Sequence, residues 1–253
     1  MKINDFLSKL SIYAPLSLSK ACIDRGDHDN SGIIVKVSED VNKVLFTLDL
    51  SKDAAMEAVN CGCDCIVTHH PAIYYPILGL DINSSTGAII ECIKNGISVI
   101  SMHLNLDMAK NGIDDSLAFA LGGKDLTVVD KIDGDLGYGK EFNVNKTFST
   151  FIADAIKTLR INNYMVYGDL SSTVNKAVSF CGGGSSTAVK YAGDADLIIT
   201  TDMPHHIIKE VTERGKKILL ITHYASEFYG FTKFFDYAKT FIDAVIFDDK
   251  KYL

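Results

Sequence analysis

At 253 residues and 47% hydrophobic composition the chain has enough apolar material for one large or two small domains, which excludes intrinsic disorder. Its 25 basic and 32 acidic side chains give a net charge of −7, which argues against a nucleic-acid backbone as the main partner. No apolar run reaches the roughly 18 residues that span a bilayer, and residues 1–7 lack the apolar stretch of a signal peptide, so no membrane partner and a cytoplasmic location are expected.

The amino-terminal residues, to about Leu10, have helical apolar spacing. Asp29-Asn30-Ser31-Gly32 follows in a stretch that resembles the opening of a calcium loop. The closing position holds Ser38 rather than Glu, so that reading is rejected. A strand is expected over residues 43–50, then a helix capped by Ser51 and running to about Asn60. Cys61, Cys63 and Cys65 alternate on the approach to a strand over 65–68. They are either a soft thiolate cluster or small buried residues. A helix over 86–95 stops at Gly96, and a strand over 98–102 and a helix over 113–121 follow.

Residues 129–140 are rich in Gly and Asp and low in periodicity, so they mark the expected internal boundary. Beyond it the pattern predicts strands over 140–144, 164–167, 176–181, 197–200, 217–222 and 244–247. Helices are expected over 149–159, 186–192, 204–214 and 226–241. The order is that of two related α/β domains, 1–125 and 126–253, produced by internal duplication.

The duplication is visible at residue level. One stretch runs from Asp64 through an apolar strand to Thr68, His69 and His70, then a helix, Gly96, a second apolar strand, His103 and Asp107. The other runs from Asp196 through an apolar strand to Thr200, Thr201 and Asp202, then a helix, Gly215, a second strand, His223 and Glu227. Six of the seven histidines lie in or beside these stretches. Ligands gathered at the carboxyl ends of strands are where open α/β folds place their sites. A shared metal site in a cleft between the halves is therefore expected. The alternatives are surface histidines for His69-His70, and ordinary capping interactions for the His103/Asp107 and His223/Glu227 pairs.

The segments Ile66-Val67-Thr68-His69-His70-Pro71, His103-Leu104-Asn105-Leu106-Asp107 and Ile221-Thr222-His223-Tyr224-Ala225-Ser226-Glu227 resemble the signature motifs of the GTP cyclohydrolase 1 type 2 family, also called NIF-three-like. Asp29-Asn30-Ser31-Gly32, Cys181-Gly182-Gly183-Gly184-Ser185 and Thr200-Thr201-Asp202-Met203-Pro204-His205-His206 are similar to further motifs of that family. The resemblance covers nearly the whole chain. It implies a dinuclear metal site with His69, His70, Asp107, His223 and Glu227 as ligands and Asp107 as the bridge, in a ring-shaped homohexamer. The chain departs from the family pattern at Thr201-Asp202, where Gly-Glu is usual, and at His28, where Trp is usual.

Three imidazoles and two carboxylates suit two divalent transition-metal ions of the Zn, Fe, Mn or Co kind. Such ions, roughly 3.5–4 Å apart, activate a bridging water and clamp an oxygen-rich substrate. The expected function is a metal-dependent hydrolase of a nucleotide-like or phosphate-bearing small molecule. The alternative is a non-catalytic metal-binding ring acting as a metal chaperone, sensor or scaffold. His103 is assigned a catalytic role as proton shuttle, against a supporting role behind the ligands or that of a satisfied core histidine. His205 and His206 at a helix start, with Gly183 and Ser185 in the Gly-rich turn, are the expected substrate contacts; a plain tight turn is the alternative for the glycines.

Overall fold

The computed structural model describes residues 1–252. In chain order the first elements are α1 (Ile3–Tyr13), α2 (Leu16–Asp24), β1 (Gly32–Val35), β2 (Lys43–Thr47), α3 (Lys52–Asn60), β3 (Cys65–Thr68), α4 (Gly87–Lys94), β4 (Ser98–Ser101) and α5 (Leu104–Met108). There follow α6 (Ile113–Ala120), β5 (Thr127–Asp133), β6 (Leu136–Thr147), α7 (Phe148–Leu159), β7 (Tyr164–Tyr167), β8 (Thr173–Ser179) and α8 (Ser185–Tyr191). The chain continues through β9 (Leu197–Thr200), α9 (His205–Glu213), β10 (Lys217–Ile221), α10 (His223–Ala238) and β11 (Asp243–Ile246). Among the described residues no helix is long and apolar enough to cross a membrane.

The chain divides into two compact units. One comprises residues 1–109 and 231–249, the other residues 110–230 and 250–253. The division differs from the expected continuous split at 125/126, for a reason that lies in the last strand and helix. β11 pairs in parallel with β2, and Phe231, Phe234 and Phe235 close on Phe46 of β2 at ring separations of 6.1, 5.9 and 5.5 Å. Phe46, Phe231 and Phe234 are fully buried, each worth about 1.5–3 kcal/mol by removal from water.

Each unit has its own sheet. The first has the order β1-β4-β3-β2-β11, and the second β5-β6-β8-β9-β10-β7. In both, three consecutive strands joined by helices run parallel (β2-β3-β4 and β8-β9-β10), and the strand preceding them in the chain lies antiparallel on the far edge (β1 on β4, β7 on β10). The repeat extends to side chains. Asp64 accepts from the backbone N–H of Asn42 and Lys43 at 3.0 and 3.2 Å, and Asp196 accepts from those of Asn175 and Lys176 at 2.7 and 3.1 Å. Each carboxylate ties the start of one strand to the start of the next. The internal duplication is thus a feature of the fold.

The parallel strands are apolar without alternation because both faces are covered: β3, β4 and β9 are buried at every position. Ser51 caps α3 as expected, its Oγ accepting from Ala54 N at 3.0 Å. The stretch expected to be an irregular boundary is instead the β5/β6 hairpin, turned at Gly134 with φ +58°. β5 is an outer strand with mostly exposed or half-buried residues, so it shows no apolar alternation. The cysteine alternation is a packing feature: Cys63 and Cys92 belong to the first unit's apolar core, and burial pushes their thiols up to about 11 and about 12. Cys65 is fully buried and its thiol is raised by the same cause. Protonated, buried thiols do not make a soft metal site.

Candidate metal centre

The strand register brings the donors of each unit to one sheet edge. In the first unit Thr47 is level with Thr68, and Thr68 with Ser101, so Asp49, His69-His70 and His103 all emerge just past neighbouring strand ends. His69 Nδ1 faces the carbonyl oxygen of Met102 at 2.9 Å. A carbonyl only accepts, so Nδ1 carries the hydrogen and the Nε2 of the neutral ring is an acceptor. That Nε2 stands 3.4 Å from Asp107 Oδ1. His69 and Asp107 are 0% and 5% exposed. Two buried acceptors face each other at such a distance only with a cation or a shared proton between them.

His70 and His103 are held in the same tautomer. His70 Nδ1 donates to Asp49 Oδ1 at 2.8 Å, and His103 Nδ1 to Asp29 Oδ1 at 2.7 Å. The nitrogen donors of His69, His70 and His103 lie within 4.8 Å of one another. The structure therefore gathers His103 with His69 and His70. Asp29 is the buried anchor of this group. Ser19 and Ser31 both donate to its Oδ2, the latter at 2.8 Å, and Ser31 Oγ also accepts from His103 N at 3.1 Å. Burial works to raise the Asp29 carboxyl, but His103, Ser19 and Ser31 together hold it below the usual carboxylate value. His28, at the position where Trp is usual, keeps an aromatic contact: it stacks on Tyr75 at 4.6 Å and meets Tyr74 edge-on.

The second unit repeats the pattern with other residues. α10 begins directly after β10, so His223 and Glu227 occupy one face of its first turn. His223 Nδ1 donates to Asp202 Oδ2 at 2.6 Å, and its Nε2 stands 3.0 Å from Glu227 Oε1. Again an acceptor nitrogen faces a buried carboxylate, Glu227 being 2% exposed. Asp202, at φ +49°, also accepts from Thr201 Oγ1 at 2.7 Å. Burial works to raise the Asp202 carboxyl, while Thr201 and His223 outweigh it and keep it low. Four histidines in the two units thus each donate Nδ1–H to a carboxylate or carbonyl and present Nε2, as metal-binding imidazoles do. The donors are nitrogen and oxygen, a set that fits divalent transition ions.

The Gly-rich turn belongs to this second group. A Cβ on Gly182 would lie 2.6 Å from Glu227 Oε1 and 3.4 Å from His223 Nε2, and the residue has φ +55°. Gly182 N donates to Ser226 Oγ at 3.0 Å. Close approach to the donors is therefore what requires glycine at 182. Gly183 is exposed with open space around it, and Ser185 is the first residue of the short α8. His205 and His206 are exposed in the first turn of α9 and join no group of three clustered donors among the described residues. Gly182→Ala is expected to lower metal affinity by about 10–100-fold, measured by competition with a chromophoric chelator; unchanged affinity would contradict the role given to the turn.

Asp29, Asp49 and Asp202, which orient the imidazoles, escaped sequence reasoning as a group. Asp29 and Asp202 were visible only as parts of motifs. Asp49 lies one residue beyond Leu48 at the end of an apolar run, the one signal that could have marked it.

The sequence model of the Duf34/NIF3 (NGG1p interacting factor 3) family matches residues 1–248. A GTP cyclohydrolase 1 type 2 homolog of Clostridium perfringens is 32% identical over 90% of this chain and 87% of its own length. The NGG1-interacting factor 3 of Saccharomyces cerevisiae is 30% identical over 79% of this chain and 78% of its own. Among solved structures, a Bacillus cereus protein related to NIF3 has a TM-score of 0.85 at 18% identity, covering 98% of this chain and 97% of its own. Reduced HcgD from Methanocaldococcus jannaschii has a TM-score of 0.84 at 25% identity, covering 98% of each chain. With a family match over nearly its whole length and relatives at this identity, the chain belongs to the Duf34/NIF3 family.

Proposed function

We propose that the chain is a dinuclear metal-dependent hydrolase of a nucleotide-like or phosphate-bearing small molecule, akin to the activity in the name of its Clostridium perfringens relative. The observation that carries this reading is the recurrence of a tautomer-locked imidazole facing a buried carboxylate, at 3.4 Å for His69 and Asp107 and at 3.0 Å for His223 and Glu227. His69, His70, Asp107, His223 and Glu227 are the residues proposed to hold two divalent ions. When bound, such ions supply Lewis acidity and lower the pKa of water.

The remaining work falls to the chain's own groups. Asp29 fixes the ring of His103, so His103 Nε2 is the atom that takes up or delivers a proton. Asp49 and Asp202 hold His70 and His223 against rotation. Gly183, Ser185, His205 and His206 are proposed to meet the polar groups of the substrate. A homohexameric ring in the cytoplasm is the proposed assembly and location, on the strength of the family resemblance.

The test is turnover of a panel of nucleotides and phosphate esters by protein loaded in turn with Zn, Mn, Fe and Co. Asp107→Asn and Glu227→Gln, checked by circular dichroism for an intact fold, serve as controls. Turnover in the wild type and its loss in both variants is the expected result. Full turnover in the variants contradicts the hydrolase reading. Bound, exchangeable metal with no turnover of any compound replaces it with the chaperone, sensor or scaffold reading.

A further inference from the structure

His223 sits in a closed ring of polar contacts within the second unit. Its carbonyl oxygen accepts from Ser226 Oγ at 2.7 Å, and Ser226 Oγ accepts from Gly182 N at 3.0 Å. On the other side His223 Nδ1 donates to Asp202 Oδ2 at 2.6 Å. The Thr201 hydroxyl closes the ring, 2.7 Å from Asp202 Oδ2 and 2.5 Å from the Gly182 carbonyl oxygen. A hydroxyl has one hydrogen, so Thr201 Oγ1 donates to one of these acceptors at a time. The charged carboxylate is the stronger acceptor, and the Gly182 oxygen has a second donor in Gly184 N at 2.8 Å. Asp202 therefore has the greater claim on that hydrogen.

Asp202 also has the greater need of it. The Asp202 and His223 side chains are 58% and 39% exposed, so water competes for both. Thr201 is 0% exposed and ties the carboxylate to the interior. The first unit uses the same device in a drier form: Asp29, which holds His103 Nδ1, is buried and accepts from both Ser19 and Ser31. There two hydroxyls hold a buried carboxylate; in the second unit one buried hydroxyl steadies an exposed one. The partner on Nδ1 sets the tautomer and direction of a metal-binding imidazole. A carboxylate free to swing into water would leave His223 Nε2 no longer fixed on Glu227, from which it stands 3.0 Å.

We propose that Thr201 is a positioning residue for the His223 end of the metal centre, fixing Asp202 on His223 Nδ1 and tying both to the Gly-rich turn. The effect on metal affinity rests on reading His223 and Glu227 as metal ligands. The orientation of the ring is a property of the metal-free protein.

The experiment compares the wild type with Thr201→Val, which removes the hydroxyl from a side chain of similar shape, and Thr201→Ser, which keeps it. Gly184 N still serves the Gly182 oxygen in the valine variant, and thermal melts establish that both variants fold. Solid-state 15N NMR of histidine-labelled, chelator-treated protein at alkaline pH reads the tautomer of His223, its signal identified by its loss in His223→Gln. The wild type is expected to hold the Nδ1–H form, Thr201→Val to mix in the Nε2–H form, and Thr201→Ser to restore the wild-type spectrum. Competition with a chromophoric chelator should show about tenfold weaker zinc binding in Thr201→Val and near wild-type binding in Thr201→Ser. In an Asp202→Asn background Thr201→Val should add no further loss, because it acts through Asp202. An unchanged His223 tautomer or unchanged affinity in Thr201→Val, a loss that serine does not recover, or an undiminished second loss in the asparagine background overturns the proposal. The expected tautomer changes in a protein that binds no zinc would sink the metal reading and leave the positioning role standing.

Discussion

Lys140→Ala will lower the unfolding free energy of the chain by about 3–5 kcal/mol, the usual cost of removing one partner from a buried ion pair. Lys140 is 1% exposed, and its Nζ lies 3.3 Å from Asp114 Oδ2 and 3.2 Å from Asp115 Oδ1 while donating to the Gly137 carbonyl at 2.7 Å. Asp114 is fully buried and accepts from Gly139 N at 2.7 Å and Cys181 N at 3.1 Å. Burial pushes the Asp114 carboxyl up against the pull of Lys140. Burial also works against the Lys140 ammonium, but the two aspartates hold it charged beyond its ordinary pKa. Alanine would leave an uncompensated carboxylate in the interior, which can escape only by taking a proton. Urea unfolding measures the effect; a loss under about 1 kcal/mol, the level of an exposed pair, would contradict it. Cys181 is the residue before Gly182, so the same variant should also weaken metal binding.

Asp107→Asn will lower metal affinity by about 100-fold or more, since even residues behind the ligands cost 10–100-fold when removed. The metal-free protein should move the other way. In the wild type the Asp107 carboxylate faces the acceptor Nε2 of His69 at 3.4 Å, a contact that a cation relieves. An asparagine amide can donate to that nitrogen, so the chelated variant should melt at or above the chelated wild type. The gain in melting temperature on adding Zn or Mn should be large in the wild type and small in the variant. Equal gains in the two proteins would remove Asp107 from the ligand set.

The parallel strands were legible because burial on both faces leaves continuous apolar runs, as in Cys65-Ile66-Val67-Thr68 and Leu197-Ile198-Ile199-Thr200. The duplication was legible because the same residue types recur where these strands stop. β5 was not, because an outer strand with few buried residues has no apolar period. α5 is five residues long, too short for a helical period to show, and α2 buries only Leu18, Ser19 and Cys22. The unit boundary was missed because β11 and the far end of α10 return to a sheet begun some two hundred residues earlier, a contact that only the folded chain reveals.

The donors themselves stood out as imidazoles and carboxylates at strand ends. Their partners did not. Asp29 reaches His103 across 74 positions, and Asp49 and Asp202 reach His70 and His223 across 21 each. Sequence patterning carries spacing within an element well and contacts between elements poorly. Gly182 shows the same limit, since nothing in the spacing of the Gly-rich turn marks that position as a close approach to Glu227.

The most direct measurement is metal content per chain by inductively coupled plasma mass spectrometry on untagged protein purified without chelator, for the wild type and His223→Ala. Roughly two transition-metal ions per wild-type chain, the complement of a two-metal site, and fewer in the variant are the expected result. A wild type free of bound metal would contradict a metal centre, and the paired histidine and carboxylate turns would then be architecture alone.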